Sequence, residues 1–163
     1  MDEQNKIINK ALNYTYFFLK FRPRTKKEIQ TYLYKKLGKE PSFNEKTLES
    51  VFSKLEKLGL VDDRNFIAWY VEQRTQSRHE GLRVIKSNLL RLGIQPELLE
   101  EYFSSYPISQ EEEQAKIALL KRWQRWQALP EVSRRQKAYG YLARKGYDFF
   151  TIKKTVAELE LRE

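Results

Sequence analysis

The stretch ARKGYDFFTI at residues 143–152 follows the same pattern as LRLGIQPELL at residues 90–99. In both, a helix-like segment ends at a Gly, an aromatic or β-branched residue comes next, and a residue suited to a helix start opens a new apolar pattern. A Gly after an apolar-periodic run is typical of the left-handed turn that ends a helix. The two stretches therefore predict the same helix–turn–helix joint at two places in one chain.

A third copy of the joint is predicted around Gly38. Apolar residues lie eight and four positions before Gly93 and before Gly146, and nine and five positions before Gly38. Each joint is preceded by a longer aromatic segment and followed by a shorter apolar one. Repetition at about 50 residues indicates units that bury their apolar faces by stacking. We therefore expect an all-α, elongated tandem array of three three-helix repeats, at residues 1–61, 62–107 and 108–163.

Start and stop signals divide the chain into about nine helices. Thr25, Ser109 and Ser133 are each followed three residues later by Glu or Gln, which is the form of a capping box. Further N-cap candidates are Asn44, Asp62 and Asp148, and Pro96 suits a first helical position. Left-handed C-caps are expected at Gly38, Gly59, Gly93 and Gly146. The predicted helices cover residues 3–21, 25–37, 44–58, 63–78, 81–92, 96–105, 110–128, 132–145 and 149–160.

Composition argues for a folded chain that needs no disulfide or metal. The 163 residues include no Cys, and 40% are hydrophobic and 13% aromatic. The first ten residues lack the apolar core of a signal peptide, and no apolar run is long enough to cross a bilayer. We expect a cytoplasmic protein with no membrane partner and no cofactor.

Residues that could carry chemistry are few. His79 is the only histidine and is expected to be exposed in a loop. The acidic run at residues 111–113 falls in a helix first turn, where carboxylates complement the helix dipole. The chain contains neither a Gly-rich phosphate loop nor a nucleophile elbow. We therefore expect no catalytic, metal-binding or cofactor-binding residues, and no enzymatic activity.

Charge is distributed unevenly around a net value of +9. The segments 20–39, 64–96 and 121–154 are basic, whereas 40–63 and 97–120 are acidic. Because the basic segments contain the middle helix of each repeat, they are expected to form a stripe along one side. Such a stripe suits a polyanionic partner, although a solvated face is the simpler interpretation of any one charge run.

The candidate binding residues are the cations of these middle helices and their neighbours. At 100° per residue, the cations of helix 81–92 fall opposite its apolar side, with Leu90 among them. Trp123 and Trp126 alternate with cations and could stack on bases, but their spacing favours the core. The predicted basic face comprises Arg24, Lys27, Arg74, Arg78, Arg83, Lys86, Arg91, Arg134 and Arg135.

The segment LVDDRNFIAWYVEQRTQSRHEGLRVIKSNLLRLGI at residues 60–94 resembles the core signature of the RecX family. Upstream ALNYTYFFLKFRPRTKKEI and downstream RRQKAYGYLARKGYDFFTI are similar to the family's opening and closing segments, so the resemblance covers about residues 8–158. Leu82 and Leu92 depart from the Pro and Lys common there, and KLGKEPSFNEKT is longer than usual. The matching residues are Asp62, Asp63, Phe66, Val71, Arg74, Gly81, Ile85, Leu89, Gly93 and Ile94.

The resemblance implies a regulator of the bacterial RecA recombinase. Such a protein would bind along the groove of the RecA–DNA filament and alter filament growth, ATP hydrolysis and co-protease activity. It would thereby act in recombination, DNA repair and the SOS response, with RecA and DNA as partners and no chemistry of its own. The positive net charge gives no sign of self-association, so a monomer is expected.

Three alternatives stay open from the residues alone. A helix-turn-helix transcription factor is weakened because its candidate recognition helix, 44–58, is acidic and no strand pair follows to form a wing. A general nucleic-acid binder would show steep salt dependence without requiring RecA. A scaffold with only protein partners would depend more on apolar surface than on the stripe.

Overall fold

The computed structural model describes residues 2–162 and contains, within them, nine α-helices and no strand. This confirms the predicted all-α class and its pattern of three-helix repeats. The helices are α1 Glu3–Leu19, α2 Lys26–Leu37, α3 Glu45–Lys57, α4 Asp63–Arg78, α5 Leu82–Arg91, α6 Pro96–Ser104, α7 Ile108–Trp126, α8 Glu131–Lys145 and α9 Phe149–Leu161.

Side-chain caps start several helices where the sequence predicted them. Thr25 and Glu28 form a reciprocal capping box at α2. Asn44 and Asp148 accept a backbone hydrogen bond at the starts of α3 and α9, and Asp62 accepts from two amides of α4. These caps satisfy amides that the first helical turn leaves without a partner.

The capping boxes predicted at Ser109 and Ser133 are wrong. Helix α7 begins at Ile108 and α8 at Glu131, each directly after a proline that has no side-chain capping bond. Pro107 and Pro130 have the extended backbone of an N-cap, with ψ of 126° and 145°. Because the preceding proline already breaks the helix, each serine falls inside the first turn.

The predicted left-handed turns are present at Gly59, Gly93 and Gly146, with φ of 67°, 90° and 100°. The prediction for Gly38 is wrong, because its φ of −62° is right-handed. After Gly38 the chain continues in turns closed by the hydrogen bonds from Glu40 N to Leu37 O and from Phe43 N to Glu40 O. The apolar residues lie one position farther from Gly38 than from Gly93 and Gly146, and the turn at Gly38 also differs from the turns at those two glycines.

The described chain forms two compact units. Unit 1 comprises the chain up to Ile67 together with Arg91–Gln95, and unit 2 comprises Ala68–Leu90 together with the chain from Pro96 onward. The core of unit 1 includes Ile29, Leu33, Leu37, Val51 and Leu55. The core of unit 2 includes Ala115, Leu119, Trp123, Leu142 and Tyr147.

Trp123 is 2% exposed and Trp126 packs at the edge of the same core. The interpretation of this pair as core residues is confirmed for Trp123. Among the described helices, none combines the length and hydropathy needed to cross a membrane.

A close joint within unit 1 connects the start of α2 to the turn after α5. The Thr25 hydroxyl donates to the carbonyl of Leu92 over 2.6 Å. An ideal Cβ at Gly93 would lie 2.4 Å from Cβ of Lys27, so a side chain there would displace the start of α2. Gly93 is thus required both by its left-handed φ and by this approach.

Candidate functional site

A second joint, within unit 2, connects the start of α5 to the end of α8. The Gly81 amide donates to the carbonyl of Lys145 over 2.8 Å, and the Arg83 amide donates to the carbonyl of Gly146 over 3.1 Å. An ideal Cβ at Gly81 would lie 2.3 Å from the carbonyl carbon of Gly146. Glycine is therefore the only residue that lets these two backbones meet without a shift.

The backbone of Arg78 and the side chains of Arg83 and Lys145 lie at this joint; we call these three residues the cation cluster. The Arg83 guanidinium donates to the carbonyl of Ala143 over 2.8 Å, and the Lys145 ammonium donates to the carbonyl of Arg78 over 2.6 Å. These bonds satisfy carbonyls in the last turns of α8 and α4, where cations complement the helix dipole. Arg78 and Arg83 stay exposed to solvent.

A buried carboxylate supports the joint from beneath. Oε1 of Glu111 accepts a hydrogen bond of 3.2 Å from the Leu82 amide at the start of α5. Burial raises the pKa of Glu111, and the hydrogen bond partly offsets that effect. The sequence placed Glu111 correctly in a helix first turn but gave no sign that it caps a different helix.

His79 and Tyr147 complete the interior of the joint. The Tyr147 hydroxyl donates to the carbonyl of His79 over 2.7 Å, and Nδ1 of His79 lies 3.0 Å from Oε1 of Gln114. The expectation of an exposed histidine is wrong, because His79 is half-buried and holds a left-handed φ of 49°. Burial raises the pKa of Tyr147 far above its ordinary value, so the phenol stays a donor.

The remaining cations of α5 point to an exposed surface. The Lys86 ammonium lies 4.7 Å from the ring centroid of Phe103, and Arg91 is exposed. Leu90 is 46% exposed between them in sequence, as the helical spacing predicted. This helix therefore presents charge together with one apolar side chain.

Other predicted cations are held by contacts inside their own unit. Arg24 lies over the Phe18 ring at 3.9 Å and donates to the Phe18 carbonyl over 3.3 Å, and desolvation lowers the pKa of its guanidinium. Lys27 lays its aliphatic stem against Gly93 while the residue as a whole stays exposed. Arg24 thus stabilises unit 1, and Lys27 combines a packing contact with exposure.

In unit 2, Arg74, Arg134 and Arg135 also have internal partners. Arg74 lies 3.6 Å from a carboxylate oxygen of Glu80. Arg134 lies over the Trp123 ring at 4.7 Å. Arg135 bonds to Glu160 over 2.9 Å and to a second carboxylate one turn earlier in α8. Each of these side chains would have to exchange an internal partner to bind a ligand.

The structure therefore places Arg83 and Lys145 at the same joint, where Lys145 bonds to the backbone of Arg78, and Lys145 was not among the predicted residues. The signal for Lys145 was available, because it directly precedes the joint glycine Gly146. Arg24, Lys27 and Arg91 belong to unit 1. Within the described residues, no group of three or more His, Asp or Glu side chains is arranged to hold a metal ion.

These features define a basic all-α protein of three-helix repeats with glycine-based joints. Residues 110–156 match the family model described as RecX, third three-helix domain. The Regulatory protein RecX of Prosthecochloris aestuarii is 30% identical over 150 residues, which cover 92% of this chain and 93% of that protein. The chain belongs to the RecX family.

Other relatives differ in length. The Regulatory protein RecX of Oceanobacillus iheyensis is 25% identical over 99% of this chain, which spans only 57% of that longer relative. The crystal structure of RecX from Lactobacillus salivarius superimposes with a TM-score of 0.81 at 26% identity, covering 94% of this chain and 97% of that one. The chain therefore matches some relatives along their whole length and others along little more than half.

Proposed function

We propose that this protein binds the RecA–DNA filament and inhibits filament growth, ATP hydrolysis and co-protease activity. The observation that carries the proposal is the similarity to regulatory RecX proteins along almost the whole chain. In this view the protein acts by binding, through three repeats at residues 1–61, 62–107 and 108–163, and without chemistry of its own.

The electrostatics support a polyanionic partner. The net charge is +9, and Arg78 and Arg83 of the cation cluster are exposed to solvent. Exposed cations attract phosphates and acidic side chains. Arg78, Arg83, Lys86 and Arg91 are the exposed members of the predicted basic face on or next to α5, and we assign them the main contact.

The test is the DNA-dependent ATPase activity of RecA. An equimolar amount of the protein should lower the ATPase rate and shorten the filaments. If neither the rate nor the filament length changes, the proposed function is wrong for this chain.

Variants locate the contact surface. The exchange Arg78→Glu with Arg91→Glu reverses two exposed charges that have no described internal side-chain bond. It should raise the half-inhibiting concentration about tenfold, since each reversal replaces an attraction by a repulsion of up to ~1 kcal/mol. The matched control, Lys46→Glu with Lys57→Glu, changes the net charge equally on α3 and should inhibit like the wild type.

A general nucleic-acid binder is the second candidate. The observation that favours it is the open basic groove on α8 beside Trp126. It predicts equal affinity for bare DNA and for the filament, with a steep loss of affinity as salt rises.

A further inference from the structure

Helix α8 contains a glycine whose position the fold does not explain. Gly140 lies in the interior of α8, where glycine disfavours the helix relative to alanine. Gly81 and Gly146 each meet a neighbouring backbone or side chain, but an ideal Cβ at Gly140 would meet only the Arg144 guanidinium, with Nη1 at 3.2 Å. Packing therefore does not require glycine here.

Gly140 lies in an open groove of about 510 Å³ in unit 2. Ser133, Lys137, Gly140 and Arg144 follow one another by four, three and four residues, so they share one stripe of α8. Gln136 and Trp126 complete the lining, with Trp126 supplied by the end of α7. The groove therefore has two cations and an aromatic wall, and the Arg144 guanidinium reaches over the Gly140 backbone.

The cations of this groove differ from their neighbours on the same helix. Arg134 and Arg135 lie against Trp123 and Glu160. Lys137 is exposed, and no described carboxylate lies within ion-pair distance of Lys137 or Arg144. Their charges thus face the groove without an internal carboxylate to neutralise them.

The aromatic wall is also surrounded by positive charge. The rings of Trp126 and Tyr141 meet edge to face at 6.3 Å. The Arg122 guanidinium lies 5.3 Å from the Tyr141 centroid, and the Lys145 ammonium lies 5.9 Å from it. An aromatic side chain beside several cations is the arrangement that binds single-stranded nucleic acid, with the base on the ring and the phosphate on the cations.

We infer that this groove is a single-stranded DNA subsite. A phosphate contacts the Lys137 ammonium and the Arg144 guanidinium, and an adjacent base contacts Trp126. The inference rests on the proposed function, because it assigns to the third repeat the contact with the DNA strand of the filament. It involves residues other than the predicted Arg134 and Arg135.

The test is the affinity of the full chain for fluorescein-labelled oligo(dT) of twenty nucleotides, measured by anisotropy over a range of salt. Gly140→Met fills the groove and should weaken binding at least tenfold. Lys137→Gln should reduce the slope of log affinity against log salt by about 0.7, the value for one phosphate contact with a single strand. The control Lys46→Gln, on α3, should leave both quantities unchanged.

Gly140→Ala separates this role from a structural one. It should raise the urea midpoint of unfolding, because alanine favours the helix, and yet weaken oligo(dT) binding. The control Asn13→Ala on α1 should raise the midpoint without affecting binding. Quenching of tryptophan fluorescence by oligo(dT) should be lost in Trp126→Phe and retained in Trp69→Phe.

The outcomes distinguish the two proposals. If the wild type fails to bind oligo(dT), or if the Gly140 and Lys137 variants bind like the wild type, the groove assignment is wrong, whatever happens to RecA. If the groove variants bind poorly but the wild type leaves the RecA ATPase rate unchanged, the subsite stands and the proposed regulatory function fails.

Discussion

The backbone joint at Gly81 makes a quantitative prediction about stability. In Gly81→Ala the new methyl group would lie 2.3 Å from the carbonyl carbon and 2.4 Å from the carbonyl oxygen of Gly146. Carbon atoms in contact are normally ~3.5 Å apart or more. Because the obstacle is backbone rather than the end of a flexible side chain, the start of α5 has to move by about 1 Å to relieve the overlap.

That movement acts on two hydrogen bonds as well as on packing. The bonds from Gly81 N to Lys145 O and from Arg83 N to Gly146 O are 2.8 and 3.1 Å long. Overpacking of a close site costs roughly 1–3 kcal/mol, and each weakened bond up to about 1 kcal/mol. We expect a total loss of about 3 kcal/mol in the free energy of unfolding.

The assay is urea unfolding followed by tryptophan fluorescence. All three tryptophans, Trp69, Trp123 and Trp126, belong to unit 2, as does the joint. Gly140→Ala is the matched control, with the same substitution in the same unit, and should gain ~0.5–1 kcal/mol. If Gly81→Ala loses less than ~1 kcal/mol in the free energy of unfolding, or if both variants change it in the same direction, the Gly81 and Gly146 backbones do not approach each other as closely as described.

Two further predictions concern Thr25 and Glu111. The Thr25 hydroxyl accepts from the Glu28 amide over 3.1 Å and donates to the Leu92 carbonyl over 2.6 Å. Thr25→Ala should therefore lower the free energy of unfolding by about 2 kcal/mol, measured by circular dichroism in urea. Thr25→Ser should retain most of the stability, and a loss below ~0.5 kcal/mol in Thr25→Ala would contradict this expectation. Burial raises the pKa of Glu111, so the folded state favours the protonated carboxyl. The protonated carboxyl stabilises the fold, and this contribution is lost as the pH rises from the ordinary pKa of a carboxyl to the raised pKa of Glu111. Glu111→Gln can still accept the hydrogen bond from the Leu82 amide, so its stability relative to the wild type should increase across that pH window. Urea titrations from about pH 4 to about pH 8 measure this difference, and a difference that does not change with pH would contradict the expectation.

The helices and their glycine joints could be predicted because both depend on local chemistry. Helical periodicity, the caps at Thr25, Asn44 and Asp148, and the turn at Gly146 each involve residues within one turn of each other. The failures at Ser109 and Ser133 are local too. In both cases the helix starts directly after a proline, and the serine of the predicted capping box lies one or two residues past the first helical residue.

The site was harder to predict because it depends on contacts distant in sequence. Glu111 caps a helix that begins 29 residues earlier, and helical periodicity does not predict contacts between residues so far apart in sequence. Charge counts indicated basic segments correctly, but they could not separate Arg135, which is neutralised by Glu160, from the exposed Arg78. Gly140 was visible in the sequence, but its place in a groove with Trp126 depends on how α7 packs against α8.

The proposed function requires that the protein recognises the RecA–DNA filament rather than DNA alone. The direct measurement is the affinity of the fluorescently labelled chain for filaments assembled on single-stranded DNA with a non-hydrolysable ATP analogue, compared with the same DNA without RecA, at 0.15 M salt. We expect the protein to bind the filament at least tenfold more tightly than bare DNA, and the Arg78→Glu, Arg91→Glu double variant to bind both more weakly. Equal affinity for filament and bare DNA would contradict it and would instead identify a general nucleic-acid binder.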